Sequence, residues 1–428
     1  MDTVINLMSG QPAGRLLPAD LVASAATEAL QAAWDPAEAS SPLNYGDNHK
    51  TFSRRIAELL MAHDNRPHVD PALIMPTSGV SHALDALCTM LCRRHRNRSN
   101  AFVFVEDATY YLASDIFRDH GLDIRKVSTD HGGLVVEDLQ HQLEALNRAA
   151  REDDSSAWPV LLYVIPNFHN PTGRSLSEER KRRLCDVAER FGLPVVADEV
   201  YNLLNYSSLV SGVSPSCPIP TSMSALGCPQ IISVSSFSKI LAPGLRVGWV
   251  EFPTIEYVDM YSGLGFYCSG SNTSQFSSCV VLKTMEQLDH ASGQSVLVTH
   301  INRLRAAYAE GYEALTGSIN KHSQTLLPAG EKNQLRIEGH GDPSRPIGGY
   351  FLWVKIPDWA VAVGPKVILE KAQKDYNLLI RLGEECAALP GLNTGYIRLC
   401  FAKLPPSALE EGGRRLCLLF KNIYESKS

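Results

Sequence analysis

"VLLYVIPNFHNPTGRSLSEERKRRLCDVAERFGLPVVADEVY", residues 160–201, sets two apolar runs on either side of a stretch with helical periodicity. The runs "VLLYVIP" (160–166) and "LPVVADEVY" (193–201) show no polar alternation, so both read as strands buried on both faces. Between them Ser177 stands where a helix cap belongs, Glu178 and Glu179 fill the first turn, and Gly192 stops the helix. A strand, a helix and a second strand, with no wet face on either strand, predict a parallel sheet covered by helices on both sides.

The same texture extends outward. "AFVFVED" (101–107) and "QIISVSSFSK" (230–239) read as further buried strands. In "SHALDALCTMLCRRHR" (81–96), Leu84, Leu87, Cys88, Leu91 and Cys92 fall on one helical face. Its basic end (Arg93, Arg94, Arg96, Arg98) suits a helix C-terminus and needs no nucleic acid to explain it. From residue 296 the pattern changes to a long amphipathic helix, "VLVTHINRLRAAYAEGYEAL". A glycine-rich loop and strand-like "GGYFLWVKIP" and "GYIRLCFAKL" follow. The expected organisation is an N-terminal segment 1–45, a large α/β domain over 46–295, and a C-terminal domain over 296–428. The last, with the N-terminal segment, forms a smaller α+β domain.

Composition fits that plan. The chain has 428 residues, 44% hydrophobic and 20% charged, too long for one small core. A net charge of −6 argues against a polyanion-binding surface, so no nucleic-acid partner is expected. Ten cysteines without CxxC pairs read as free thiols in a reducing compartment, and thirteen histidines show no metal-ligand spacing. The opening "MDTVINLMSGQPAGRLLPADL" lacks a basic start followed by an apolar core, so the expectation is a cytoplasmic protein with no membrane span.

Functional groups of parallel sheets collect just past the strands' carboxyl ends. There this sequence sets Asn170 in "NFHNPTG", Asp198 and Tyr201 in "ADEVY", Tyr110 and Tyr111 in "VFVEDATYY", and Ser236, Ser238 and Lys239 in "SVSSFSK". A small-residue turn, "PTSGVS", opens the helix at 81, and Arg246 follows Lys239 by seven residues. A lysine, an aspartate, an arginine and an uncapped helix start are what pyridoxal phosphate needs. They supply, in turn, a covalent link, a partner for the pyridinium, and two devices that hold phosphate.

The segments "NPTG", "ADEVY" and "SFSKILAPGLRVGW" resemble the marker segments of the fold-type I pyridoxal-phosphate aminotransferases, class I/II. Their order and gaps match too, with Asp198 28 residues after Asn170 and 41 before Lys239. "SGQP", "PTSGVSHAL", "PNFHNPTG" and "YIRLCFA" are most similar to the 2-aminoadipate and aromatic aminotransferase branch, which also supplies the core of MocR-type regulators. The family's opening motif is reached by residue 10, which argues against such a regulator.

The resemblance implies an aspartate aminotransferase-like fold, pyridoxal 5′-phosphate as cofactor and a homodimer. It implies transfer of an amino group from an aromatic or 2-aminoadipate-like L-amino acid to a 2-oxo acid such as 2-oxoglutarate. Decarboxylation, elimination or carbon–carbon bond formation on the same cofactor stay open. Lys239 would be the Schiff-base lysine, Asp198 the pyridinium partner, and Asn170 and Tyr201 donors to the phenolic oxygen. Ser236, Ser238, Arg246 and the backbone of Gly79, Val80 and Ser81 would hold the phosphate, with Tyr110 stacked on the ring. A tight Pro243-Gly244 turn would bring Lys239 and Arg246 back to one ligand. Arg398 would grip the substrate carboxylate, beside Gly10 and Asn170, and Tyr45 would reach the neighbouring subunit's phosphate. After Tyr45 the chain departs from the family's pattern, with Lys50 where a glycine is usual. No second arginine stands out as a clamp for an acidic side chain, which favours aromatic or long aliphatic substrates. His169 is either a pocket residue or a structural loop histidine.

Overall fold

The computed structural model describes residues 3–32, 42–43, 49–64, 66–93, 100–152, 157–270 and 274–426. Its centre is a seven-stranded sheet. In chain order the strands are β2 (Ile74–Thr77), β3 (Ala101–Glu106), β4 (Asp123–Val127), β5 (Trp158–Val164), β6 (Val195–Asp198), β7 (Ile231–Ser236) and β8 (Gly248–Glu251); β1 is Ile5–Asn6, outside this sheet. Their order across the sheet is β2-β8-β7-β6-β5-β3-β4. Strands β4, β3, β5, β6 and β7 run parallel, while β8 is antiparallel to both of its neighbours.

The period of two along each strand fixes what each face meets. After helices α1 (Ala19–Ala32) and α2 (His49–Asp64), Val103, Val105 and Tyr163 turn to one side, where they join Ala83, Leu84 and Leu87 of α3 (Val80–Cys92) and Phe117 of α4 (Tyr111–Asp119). Phe102, Phe104, Leu162 and Val164 turn to the other. There they meet Leu139 and Leu143 of α5 (Val136–Glu152), and Leu184 and Ala188 of α6 (Glu178–Phe191). Burial on both faces explains the unbroken apolar runs. The ends of α6 are as read from the sequence: the Ser177 side chain accepts from the Arg180 amide, and Gly192 takes the left-handed conformation.

A second, four-stranded antiparallel sheet is built from Arg336–Ile337 (β9), Phe351–Lys355 (β10), Arg381–Leu382 (β12) and Tyr396–Cys400 (β13). Helix Val296–Leu326, 31 residues long, packs along helix Pro406–Glu425. Strand β1 pairs in parallel with β11 (Leu378–Leu379), so the two ends of the chain meet; helix Ala19–Ala32 lies instead against Gln275–Glu286. No helix among the described residues is long and apolar enough to cross a membrane, and all ten cysteines are free.

Candidate active site

The carboxyl ends of β5, β6 and β7, the start of α3 and the segment Met8–Gln11 enclose a cavity of about 420 Å³. All the expected site residues line it except Gly79, which touches it through Arg246, and Tyr45, which lies outside the described residues.

Asp198 ends β6 and is buried. Its Oδ2 accepts a 2.7 Å hydrogen bond from Tyr163 Oη, while Oδ1 is buried and has no partner. Burial raises its pKa to about 6, against the Tyr163 bond, the Val200 amide and the charges of Lys239 and His169, which all lower it. A buried carboxylate oxygen with nothing to accept is costly unless a donor arrives.

Lys239 follows β7, and its Nζ donates to the Gly10 carbonyl at 3.1 Å. Burial depresses its pKa, with Arg398 and Arg246 pushing the same way and Cys400 and Asp198 opposing. The Tyr350 ring lies 5.3 Å from Nζ, and its hydroxyl donates to the Lys239 carbonyl.

At the opposite end the donors cluster. A 3-10 turn at Pro243–Leu245 delivers Arg246 in a left-handed conformation, φ 52°. Its Nη1 donates to Ser238 Oγ and the Pro243 carbonyl, and its Nη2 to the Ser78 carbonyl. Ser236 Oγ lies 2.8 Å from Ser238 Oγ. Gly79 precedes α3 with φ 90°, and no side chain caps the helix. A Cβ at Gly79 would sit 2.7 Å from Arg246 Nη2, so only glycine allows this approach. The first amides of a helix have no intrahelical partner, and Val80 and Ser81 at the start of α3 line the cavity together with this cluster.

Arg398, on β13, is 4% exposed and reaches from the four-stranded sheet to the segment that follows β5. Its Nη1 donates to Asn170 Oδ1 at 3.0 Å and its Nη2 to the Met8 carbonyl at 2.7 Å, and its Nε is buried without a partner. The guanidinium lies 4.4 Å above the Phe351 ring. With Oδ1 engaged, the Asn170 amide group is left to donate into the cavity. Tyr201 is buried with its ring 5.3 Å from Tyr350 and 6.3 Å from Phe351.

Both Tyr110 and Tyr111 line the cavity, 6.1 Å apart. Tyr110 is the one within the fields of Asp198, Arg398 and Arg246, and burial raises its pKa. Tyr111 lies under Arg381, whose guanidinium is 4.7 Å from its ring. Arg381 corrects the sequence reading that no second arginine stands out: it lines the same cavity, bound to Glu385 through Nη1, with a buried, unpartnered Nε. His169 turns away from the cavity to Glu106, 3.0 Å from its carboxylate, and to Thr172. Tyr163 carried no signal beyond that of a core aromatic, and Arg381 none beyond that of a strand-end charge.

These residues fit pyridoxal phosphate. The orphaned Asp198 oxygen suits a protonated ring nitrogen, and the glycine-cleared cradle at Arg246 suits a phosphate.

A family model for "Aminotransferase class I and II" matches residues 2–416. "Aromatic-amino-acid aminotransferase 1" of Thermococcus litoralis is 27% identical over 433 residues, covering 98% of this chain and 88% of that protein. "Kynurenine/alpha-aminoadipate aminotransferase, mitochondrial" of Bos taurus is 26% identical over 325 residues, covering 74% of this chain and 68% of that protein. The crystal structure of the multiple substrate aminotransferase from Thermococcus profundus superposes with a TM-score of 0.78 at 22% identity. It covers 100% of this chain and 93% of that one, which establishes the fold.

Proposed function

Since this chain belongs to the class I and II aminotransferases and is a pyridoxal-phosphate-dependent aminotransferase, we propose that its donor is an aromatic or 2-aminoadipate-like L-amino acid and its acceptor a 2-oxo acid such as 2-oxoglutarate. We further propose that it works as a homodimer. Free thiols throughout the chain support a reducing compartment such as the cytoplasm. The observation that carries the reading is the Arg398–Asn170 bond, which joins a carboxylate-gripping arginine to the cavity lined by Lys239 and Asp198.

Bound in this cavity, pyridoxal phosphate supplies an aldehyde for amino groups and a ring that delocalises the electrons left on the substrate Cα. Lys239 Nζ is the covalent anchor. Its depressed pKa favours the neutral amine, and when not engaged as the anchor that amine would serve as the base that takes the proton from the substrate Cα. Asp198 would hold the proton on the ring nitrogen, and Tyr163 fixes that carboxylate through its hydrogen bond. Asn170 and Tyr201 would donate to the cofactor's phenolic oxygen.

Arg246, Ser236, Ser238 and the amides of Gly79, Val80 and Ser81 would hold the phosphate, and Tyr110 would cover the ring. Arg398 receives the substrate carboxylate with its planar fork, beside Gly10.

The side-chain end of the cavity offers Leu84, Tyr111 and Leu112 to an aromatic ring, and Arg381 to a distal carboxylate. The names of the two relatives, which cover both side-chain types, support this pairing.

The test is the visible spectrum of the cofactor-loaded protein, recorded as single amino acids are added without any oxo acid. Loss of the visible band with tyrosine, kynurenine or 2-aminoadipate, and release of one equivalent of the matching 2-oxo acid, is expected. A band that none of them removes would sink the substrate assignment.

A further inference from the structure

A second, larger cavity of about 660 Å³ lies outside the cofactor site and shares no lining residue with it. It is a groove between the end of the helix His49–Asp64, the segment 203–219 and the start of the helix Val296–Leu326. Leu59, Ile219 and Val298 give it an apolar wall, and Asn205, Ser208 and Asn302 add polar groups.

Its one arginine is unusual. Arg305 is half-buried, its Nε donates to the Leu203 carbonyl at 2.9 Å and its Nη1 to Asn302 Oδ1 at 3.1 Å. It forms no ion pair with a described residue, and Nη2 has no hydrogen-bond partner among them. Burial lowers its pKa. Burial lowers the pKa of His63 beside it, with Asp64 opposing the shift and Arg305 adding to it. The neighbouring carboxylate, Asp64, accepts from Ser222 Oγ at 2.6 Å and holds its other oxygen 3.8 Å from His63 Nε2. A partly desolvated guanidinium with an open donor, set against an apolar wall and without a counter-charge, is a receptor for an anion that brings its own apolar body.

We propose that this groove binds a small organic monocarboxylate, its carboxylate on Arg305 and its apolar body against Leu59, Ile219 and Val298. One guanidinium with a single open donor group matches a single negative charge better than a phosphate dianion.

The test uses the cofactor-loaded protein pretreated with aminooxyacetate, which fills the cofactor cavity, and follows phenylacetate binding by calorimetry. The expected result is one equivalent of phenylacetate per chain, at least tenfold weaker binding of uncharged 2-phenylethanol, and no displacement by inorganic phosphate. Arg305→Met should weaken phenylacetate at least tenfold. Ser208→Glu, at an exposed position in the lining of the groove, should do the same by placing a negative charge in the groove. Absence of that equivalent, unchanged binding in Ser208→Glu, or displacement by phosphate would each overturn the proposal.

Discussion

Tyr163 Oη donates to Asp198 Oδ2 across 2.7 Å, between adjacent parallel strands, and leaves Oδ1 of the same carboxylate buried with no partner. The bond fixes the carboxylate and favours its charged form, so it acts on the cofactor through Asp198. Tyr163→Phe removes the donor and keeps the ring that packs against Phe117. The Asp198 pKa should then rise by about one unit, the usual size of a lost bond to a charged group. The acid limb of cofactor affinity against pH should move up accordingly. An unmoved limb would show that Tyr163 is only a core ring.

Asp198 also makes a prediction about the protein without cofactor. Its pKa is about 6 in the fold against an ordinary 3.8, so the folded state binds its proton more tightly than the unfolded chain. Stability is therefore highest below pH 4 and falls as pH rises through 6, by up to about 3 kcal/mol for this one group. Asp198→Asn carries no such charge. The cofactor-free variant should melt higher than wild type at pH 8, with the gap closing toward pH 4, while its cofactor affinity drops. Glu199, raised to about 7 by burial, keeps part of the slope in both proteins. Equal destabilisation of the variant at both pH values would contradict this balance.

Gly79→Ala tests the phosphate cradle. The added Cβ meets Arg246 Nη2 and must adopt φ 90°, a strain of about 1–3 kcal/mol. Cofactor affinity should fall by about tenfold or more, the equivalent of about 1.4 kcal/mol. The KM for the amino acid at saturating cofactor should stay near the wild-type value. A changed KM with unchanged cofactor affinity would mean that this end of the cavity holds substrate.

Arg398→Lys keeps the charge and loses the fork that engages Asn170 and Met8. KM for both amino acid and oxo acid should rise by about tenfold to a hundredfold, about 1.4–3 kcal/mol of lost binding, with the cofactor's visible band intact. A lost band with normal KM would reassign Arg398 to the cofactor.

Much of this was legible in the sequence, for a physical reason. A parallel sheet buried on both faces writes itself as apolar runs, and its chemistry gathers at the strand ends, so Asn170, Asp198, Ser236 and Lys239 stand next to readable elements. What could not be read comes from the third dimension. Tyr163 sits next to last in its strand with the period of a core residue, and only the β5–β6 register, which sets it opposite Val196, brings it to Asp198. Arg381 and Arg398 are partners across two antiparallel strands, and no local pattern shows that both point into one cavity. The insertion of β8 between β2 and β7 was equally hidden, because a strand's direction depends on its pairing.

The central claim is that Lys239 is the cofactor's covalent anchor. Borohydride reduction of the pyridoxal-phosphate-loaded protein, followed by peptide mass mapping, tests it most directly. The account predicts the reduced cofactor on the peptide that contains Lys239, and its loss from that peptide in Lys239→Ala. A label on another lysine, buried Lys181 above all, or no label on a protein that still turns over, would contradict it.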